Sequence, residues 1–237
     1  MEKGKVYGIS LGPGDPDLIT LKGYKLLQSV DKIYYPGSIF QDGRKSSYSL
    51  QIMEGYDLPE EKLVGFYMEM TIDRVHVHPV YEEAFQDIQK DVSEGLDVAI
   101  VCEGDLSTYS SFSYLLEKFQ QTDIPISLVP GISSFHLGAA EIQQPLALLG
   151  ETIHVLPILK STQVLEDALK VSDTVVLMKI RSVMRHIQPI LEREEINFTY
   201  CEKLGTTEQF MTSSLDKLQE RTIPYFSLLI IKKNKQA

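Results

Sequence analysis

The chain has 237 residues, of which 43% are hydrophobic, so it is long enough for one large core or two modest ones. Its formal net charge of -10 argues against a surface that coats nucleic acid, although a few basic groups could still meet an anionic small molecule. Because no apolar run approaches the roughly 20 residues that cross a bilayer and no signal peptide is visible, we expect a soluble cytoplasmic protein.

Strand-like and helix-like patterns alternate along the chain. The apolar runs predict strands at 5–11, 32–35, 97–102, 126–129, 152–156, 174–178, 198–201 and 225–231. Helices are predicted at 17–28, 79–94, 108–119, 133–142, 164–171 and 183–194, whereas the polar stretch 40–63 has no clear assignment. This alternation is typical of α/β proteins with largely parallel sheets. We predict two α/β domains, 1–119 and 120–237, which meet at the polar residues 120–123.

Three glycine-bearing loops follow predicted strands. We call them the opening loop (12–16, GPGDP), the acidic loop (103–108, EGDLST) and the serine loop (130–134, PGISS). Glycine permits close backbone approach and positive φ, and a helix start behind the opening loop would offer free N–H groups to an anion. Since open α/β sheets bind ligands at the carboxyl ends of their strands, the loops predict a site for a small polar ligand.

Each loop also has a purely structural interpretation. The opening loop could be no more than a capped turn, with Asp15 as N-cap and Pro16 as the first helical residue. Asp105 either accepts hydrogen bonds from a ligand or caps the helix behind it, and Ser133 and Ser134 are either N-caps or ligand contacts. The loops match neither a Walker loop nor the dinucleotide fingerprint, and the chain has no nucleophile elbow.

Metal and disulfide sites are not predicted. His76 and His78 would point to one face of an extended segment, but no further ligands stand near them in the sequence. Cys102 and Cys201 lie far apart, in or beside apolar runs, so we expect two reduced, buried thiols.

Together, the three loops resemble the motifs of the tetrapyrrole methylases, the class III methyltransferases that use S-adenosylmethionine (SAM). The family pattern Gly-x-Gly-Pro-Gly-Asp-Pro is similar to residues 10–16, with Ser10 where a glycine is often found. The Gly-Asp-Pro pattern is similar to residues 104–106, with Leu106 in place of the usual proline, a departure that bears on loop stiffness. The pattern Val-Pro-Gly-Ile is met in full at 129–132. Segments 109–117, 129–135 and 173–179 resemble the branch that methylates C20 of precorrin-2 or cobalt-factor II in cobalamin biosynthesis.

The resemblance implies two α/β domains with SAM in the cleft between them, usually in a homodimer. The N-terminal domain would carry the tetrapyrrole side, and the C-terminal domain would complete the SAM site. Carried over by position, the cofactor contacts are Pro13, Glu103, Gly104, Asp105, Thr108, Ser133, Ser134, Met178 and Gly205. Asp15 is the candidate base, with a water or a substrate carboxylate as alternatives. The candidate partners of the substrate carboxylates are Arg44, Lys45, Arg74, Lys160, Lys179, Arg181 and Arg185.

Other functions stay open at this point. Another precorrin methylase, diphthine synthase or the ribosomal RNA methylase would share the opening loop, although the acidic balance argues against an RNA substrate. A non-catalytic SAM- or nucleotide-binding module would bind the ligand without turnover. A purely structural protein would leave the three loops unexplained. The sequence does not distinguish a metal-free substrate from one that carries cobalt.

Overall fold

A computed structural model describes residues 4–40, 42–69 and 77–233. The chain divides into two compact units, Met1–Ser133 and Ser134–Ala237, and each is an α/β unit built on one sheet. Within the described ranges, no helix has the length and apolar character needed to span a membrane. His76 and Arg74 lie outside the described residues.

The first unit has a mostly parallel sheet. Its described strands are β1 (Val6–Ser10), β2 (Lys32–Ile39), β3 (Lys45–Ser46), β4 (Leu63–Glu69), β5 (Val98–Cys102) and β6 (Ile126–Val129). Its described helices are α1 (Leu21–Ser29), α2 (Tyr48–Met53), α3 (Val77–Ser93) and α4 (Ser113–Phe119). The strand order is β3-β2-β5-β1-β6, with β4 on β2, and only the β2–β3 pair is antiparallel. The loops after β1, β5 and β6 therefore leave the same edge of the sheet.

Both faces of this sheet are covered. All five residues of β5 are buried, and alternate residues enter different clusters, Ile100 on one face and Val101 on the other. Helix α3 adds Ile88 to the first cluster, and α1 adds Leu27 to the second. A strand buried on both faces reads as one continuous apolar run, which explains why β5 is readily predicted.

The second unit has a mixed sheet. Its described strands are β7 (Ile153–Leu156), β8 (Thr174–Met178), β9 (Ile196–Glu202), β10 (Phe210–Thr212) and β11 (Ser227–Lys233). Its described helices are α5 (Ser134–Glu141), α6 (Thr162–Val171), α7 (Met184–Leu191) and α8 (Asp216–Gln219). In the order β10-β9-β11-β8-β7, only β7 and β8 pair in parallel. The prediction of mainly parallel sheets is confirmed for the first unit and wrong for the second, because an apolar run reports burial and not strand direction.

Three predicted boundaries differ from the structure. Strand β2 continues through Pro36, beyond the predicted range 32–35, because Pro36 pairs with β4 past the part of β2 that pairs with β5. Helix α4 begins at Ser113 and not at 108, since Tyr109 has a φ of 55°, outside the helical range. The predicted division at 119/120 precedes β6, which pairs with β1, and the observed division follows Ser133.

Candidate functional site

The opening and acidic loops are joined through their glycines. The Gly12 N–H donates to the Gly104 carbonyl at 3.2 Å, and the Gly104 N–H donates to the Gly12 carbonyl at 2.6 Å. The φ angles of Gly12 and Gly104 are 87° and 69°, in the left-handed region that side chains rarely adopt. This pair of hydrogen bonds is an isolated antiparallel bridge just beyond the parallel β1–β5 pairing, and it fixes the opening loop against the acidic loop.

Asp105 joins the acidic loop to the serine loop. Its Oδ2 accepts from the Gly131 N–H at 2.8 Å, and its Oδ1 accepts from the Ser107 N–H at 3.0 Å, the Ser107 hydroxyl at 2.5 Å and the Thr108 hydroxyl at 3.2 Å. Burial opposes ionisation, yet the donors from Gly131 and Ser107 outweigh it and hold the pKa of this carboxyl below its usual range. The structure therefore gives Asp105 a clear role in organising two loops, while its predicted contact with the cofactor stays a prediction.

Helix α2 places two hydroxyl groups against the same loops. The Ser49 hydroxyl donates to Glu103 Oε2 at 2.7 Å, and among the described residues no other group donates to this carboxylate. The Tyr48 hydroxyl donates to the Pro13 carbonyl at 3.3 Å. Burial, and secondarily the charge of Glu103, raises the pKa of Tyr48 to about 12, so this phenol stays neutral at physiological pH.

Sequence reasoning missed α2 altogether. The helix is only six residues long and lies in the stretch 40–63, where no apolar period is visible. One signal could have revealed it, since Ser47 is an N-cap whose hydroxyl accepts from the Leu50 N–H at 3.1 Å. Without that cap, the sequence gives no reason to place Tyr48 and Ser49 beside the loops.

The acidic loop leaves space beside Gly104. A Cβ built on Gly104 would have no atom within 4 Å, whereas one on Gly131 would lie 2.4 Å from the Ser10 Cβ. Glu103 and Thr108, on either side of this glycine, are both half-buried. A stretch of bare backbone with open space, next to a carboxylate, is a suitable cradle for a polar ligand.

The opening loop leads into a short 3₁₀ helix and not directly into an α-helix. The residues after it form a three-residue 3₁₀ turn, Pro16–Leu18, and α1 begins only at Leu21 with Thr20 as its N-cap. The Asp15 carboxylate accepts from the Asp17 N–H at 2.9 Å, and the Asp15 carbonyl accepts from the Leu18 N–H at 3.1 Å. These N–H groups are already satisfied, so the structure confirms the capped-turn interpretation, with Asp15 as N-cap and Pro16 as the first residue of the turn.

Two of the four remaining predicted contacts lie at one edge of the second sheet. Strands β8 and β9 are both antiparallel to β11, so the half-buried Met178 that ends β8 and Gly205 after β9 leave the sheet at the same edge. Gly205 has a φ of 78°, and its N–H donates to Gln209 Oε1 at 2.7 Å. The other two contacts are Ser133, which is buried, and Ser134, which is the first residue of α5. Their contact with a cofactor stays a prediction.

Two of the predicted cations, Arg44 and Lys45, already have partners of their own. Arg44 forms an exposed ion pair with Asp42 at 3.5 Å, and the Lys45 ammonium lies 4.7 Å from the centre of the Tyr67 ring. Exposed pairs of this kind contribute little stability and remain exchangeable for a substrate carboxylate. Lys179 follows β8 with a φ of 54°.

Across the residues that the structure describes, neither the two cysteine thiols nor the acidic and histidine side chains suggest a disulfide or a metal site. Cys102 and Cys201 are free and buried, as predicted, and burial raises the pKa of each to about 12. In the described part of the chain, no three His, Cys, Asp or Glu side chains converge as metal ligands would.

Comparison with known proteins gives full-length relatives. The chain is 30% identical to a probable cobalt-precorrin-2 C(20)-methyltransferase of Methanocaldococcus jannaschii, over 98% of this chain and 97% of that protein. It is 28% identical to the cobalt-precorrin-2 C(20)-methyltransferase of Salmonella typhimurium, over 97% of each chain. It is 23% identical to a precorrin-2 C(20)-methyltransferase of Sinorhizobium, over 96% of this chain and 95% of that protein.

Solved structures share the fold. A cobalt precorrin-4 methyltransferase superposes with a TM-score of 0.72 at 20% identity, covering 96% of this chain and 94% of that one. The uroporphyrin-III C-methyl transferase of Thermus thermophilus, in complex with S-adenosylhomocysteine, gives 0.64 at 15% identity and covers 97% of each chain. The family model of the tetrapyrrole (corrin/porphyrin) methylases matches residues 5–219. Since this match spans most of the sequence and full-length relatives reach 30% identity, the chain belongs to the tetrapyrrole methylase family.

Proposed function

We propose that this protein transfers a methyl group from SAM to C20 of precorrin-2 or of its cobalt-containing form, in the biosynthesis of cobalamin. The observation that carries the proposal is the end-to-end similarity to two proteins named for this reaction, at 30% and 28% identity. Both names specify the cobalt form, whereas the relative named for metal-free precorrin-2 is 23% identical. The cobalt form is therefore the first substrate to test.

The loops of the first unit fit the chemistry of SAM. Its ribose hydroxyls and its ammonium group need acceptors, and Glu103 is a carboxylate to which only Ser49 donates among the described residues. The open space beside Gly104 allows the backbone of the acidic loop to approach a ligand closely. When bound, SAM supplies an electrophilic methyl group on a positively charged sulfur.

The contribution of the protein is mainly alignment, because the pyrrole nitrogens of the substrate make C20 nucleophilic. Two sets of hydrogen bonds hold the loops in one arrangement before any ligand arrives. One is the backbone pair between Gly12 and Gly104, and the other is the bond that the Gly131 N–H donates to Asp105. Preorganisation of this kind is worth up to roughly 7–11 kcal/mol of the barrier in ideal cases. We propose that Asp15 Oδ2 accepts the proton that leaves C20, because Oδ1 already accepts a hydrogen bond from the Asp17 N–H. An Asp15→Asn variant is then expected to lose kcat while it keeps its affinity for S-adenosylhomocysteine.

The proposal extends to the second unit and to assembly. Four further residues are assigned to the cofactor shell on the strength of the family resemblance: Met178 and Gly205, at one edge of the second sheet, and Ser133 and Ser134. A homodimer is expected for the same reason, and light scattering coupled to size exclusion tests it. Location in the cytoplasm stays a prediction.

The decisive experiment supplies the protein with SAM that carries a ¹³C-labelled methyl group, and with cobalt-factor II or precorrin-2 in separate reactions. We expect one substrate to gain the mass of one methylene, S-adenosylhomocysteine to be released in equal amount, and the labelled carbon to appear on C20 by NMR. A label on another ring carbon would indicate a sister precorrin methylase. Binding of S-adenosylhomocysteine with no product from either substrate would favour an acceptor outside the corrin series, and no binding at all would refute SAM chemistry.

A further inference from the structure

Ser10 is a fully buried polar residue at the end of β1. Its hydroxyl oxygen accepts a hydrogen bond from the Leu106 N–H at 2.9 Å, and Leu106 is itself buried. The two residues are 96 positions apart in the sequence. The bond therefore ties the strand before the opening loop to the middle of the acidic loop.

Leu106 occupies a turn position that suits proline. The Thr108 N–H donates to the Asp105 carbonyl at 3.1 Å, which makes Leu106 the second residue of a four-residue turn, and its φ is not positive. Proline is favoured at this position because its ring presets φ, and it carries no N–H. Leucine adds an N–H that must find an acceptor once buried, and Ser10 provides that acceptor.

The serine loop lies directly on Ser10. A Cβ on Gly131 would come within 2.4 Å of the Ser10 Cβ and 2.9 Å of the Gly104 carbonyl oxygen, so there is no room for a side chain at Gly131. From this position the Gly131 N–H reaches Asp105 Oδ2. Ser10 thus contacts one loop by a hydrogen bond and another by packing.

We propose that Ser10 is a positioning residue of the SAM site, which holds the acidic loop through the Leu106 N–H so that Asp105 can clamp the serine loop. The use of S-adenosylhomocysteine affinity to test this role rests on the function proposed above. In Ser10→Ala the Leu106 N–H is buried without an acceptor, and it can find another acceptor only if the acidic loop moves. We expect the affinity for S-adenosylhomocysteine to fall about tenfold, the size of effect typical of one buried unmade hydrogen bond.

A second substitution separates positioning from general destabilisation. Ser10→Ala combined with Leu106→Pro removes the donor together with its acceptor, and the proline ring takes over the turn. We expect this double variant to recover S-adenosylhomocysteine affinity to within about threefold of the unmodified chain, even if the lost Leu106 side chain lowers its stability. The matched control is Thr174→Val, which deletes another buried hydroxyl that bonds to backbone, at 2.6 Å from the Leu146 carbonyl in the second unit.

The experiment measures affinity by titration calorimetry, unfolding by urea, and amide hydrogen exchange at Gly131 in the full chain. Ser10→Ala should weaken binding and speed exchange at Gly131, the double variant should reverse both effects, and Thr174→Val should change only stability. Unchanged exchange and affinity in Ser10→Ala, or a double variant as impaired as the single one, would overturn the proposal. If the unmodified chain does not bind S-adenosylhomocysteine, the proposed function fails, and the exchange at Gly131 still decides the role of Ser10.

Discussion

Replacing Gly104 by alanine separates backbone strain from loss of ligand contact. Gly104 and Gly43 have φ angles of 69° and 79°, and a Cβ on either would have no atom within 4 Å. An L side chain in the left-handed region costs roughly 1–2 kcal/mol. Gly104→Ala and Gly43→Ala are therefore expected to lose similar unfolding free energy in urea titrations, since neither methyl group causes a clash.

Only Gly104 belongs to the candidate site, so ligand affinity should distinguish the two variants. The added methyl group would occupy the open space beside the acidic-loop backbone, where the ligand is expected to approach. We expect Gly104→Ala to bind S-adenosylhomocysteine at least tenfold more weakly, a loss of about 1.4 kcal/mol, while Gly43→Ala binds as tightly as the unmodified chain. If calorimetry gave equal affinities for Gly104→Ala and the unmodified chain, ligand approach at Gly104 would be refuted.

Three further predictions concern stability. Gly131→Ala places a Cβ against Ser10 and the Gly104 carbonyl, and should lower the free energy of unfolding in urea by about 1–3 kcal/mol. Gly150→Ala, whose Cβ has no atom within 4 Å, should keep this free energy within about 0.5 kcal/mol of that of the unmodified chain. The lowered pKa of Asp105 stabilises the fold above about pH 4, and this contribution is lost as the pH falls through the folded pKa, so Asp105→Asn should flatten the acid side of a stability–pH curve. Arg221→Leu leaves the buried Glu202 carboxylate without its ion-pair partner and should cost about 3 kcal/mol by thermal unfolding; a cost under about 1 kcal/mol would contradict this account.

Sequence patterns predicted the elements that are long or buried on both faces. Strands β5 and β8 were located to within a residue, because a continuous apolar run of four or five residues bounded by polar ones is typical of a buried strand. Helix α3 was located because its apolar residues recur at four-residue intervals. Short elements such as α2 and β10 carry no period long enough to detect, and β10 is defined only by its pairing with β9.

Local sequence also predicted the positions of the three loops but not how they are joined. Gly12, Gly14 and Gly104 were identified as positions of close approach, and the structure joins Gly12 to Gly104 by a pair of hydrogen bonds. That Asp105 accepts from the Gly131 N–H could not be derived, because this contact spans 26 residues and depends on β6 lying beside β1. Topology, and not motif spacing, decides which loop residues meet.

The two departures from the family pattern illustrate the effect of such long-range contacts. Taken separately, Ser10 looks like a tolerated replacement of glycine, and Leu106 like a loss of stiffness. The hydrogen bond between them shows that one supplies an acceptor for the N–H that the other introduces. A chain that changed only position 106 would bury an unpaired donor, whereas one that changed both keeps the acidic loop in place. The two substitutions are therefore best treated as one change, and their combined reversal should be tolerated better than the reversal of Ser10 alone.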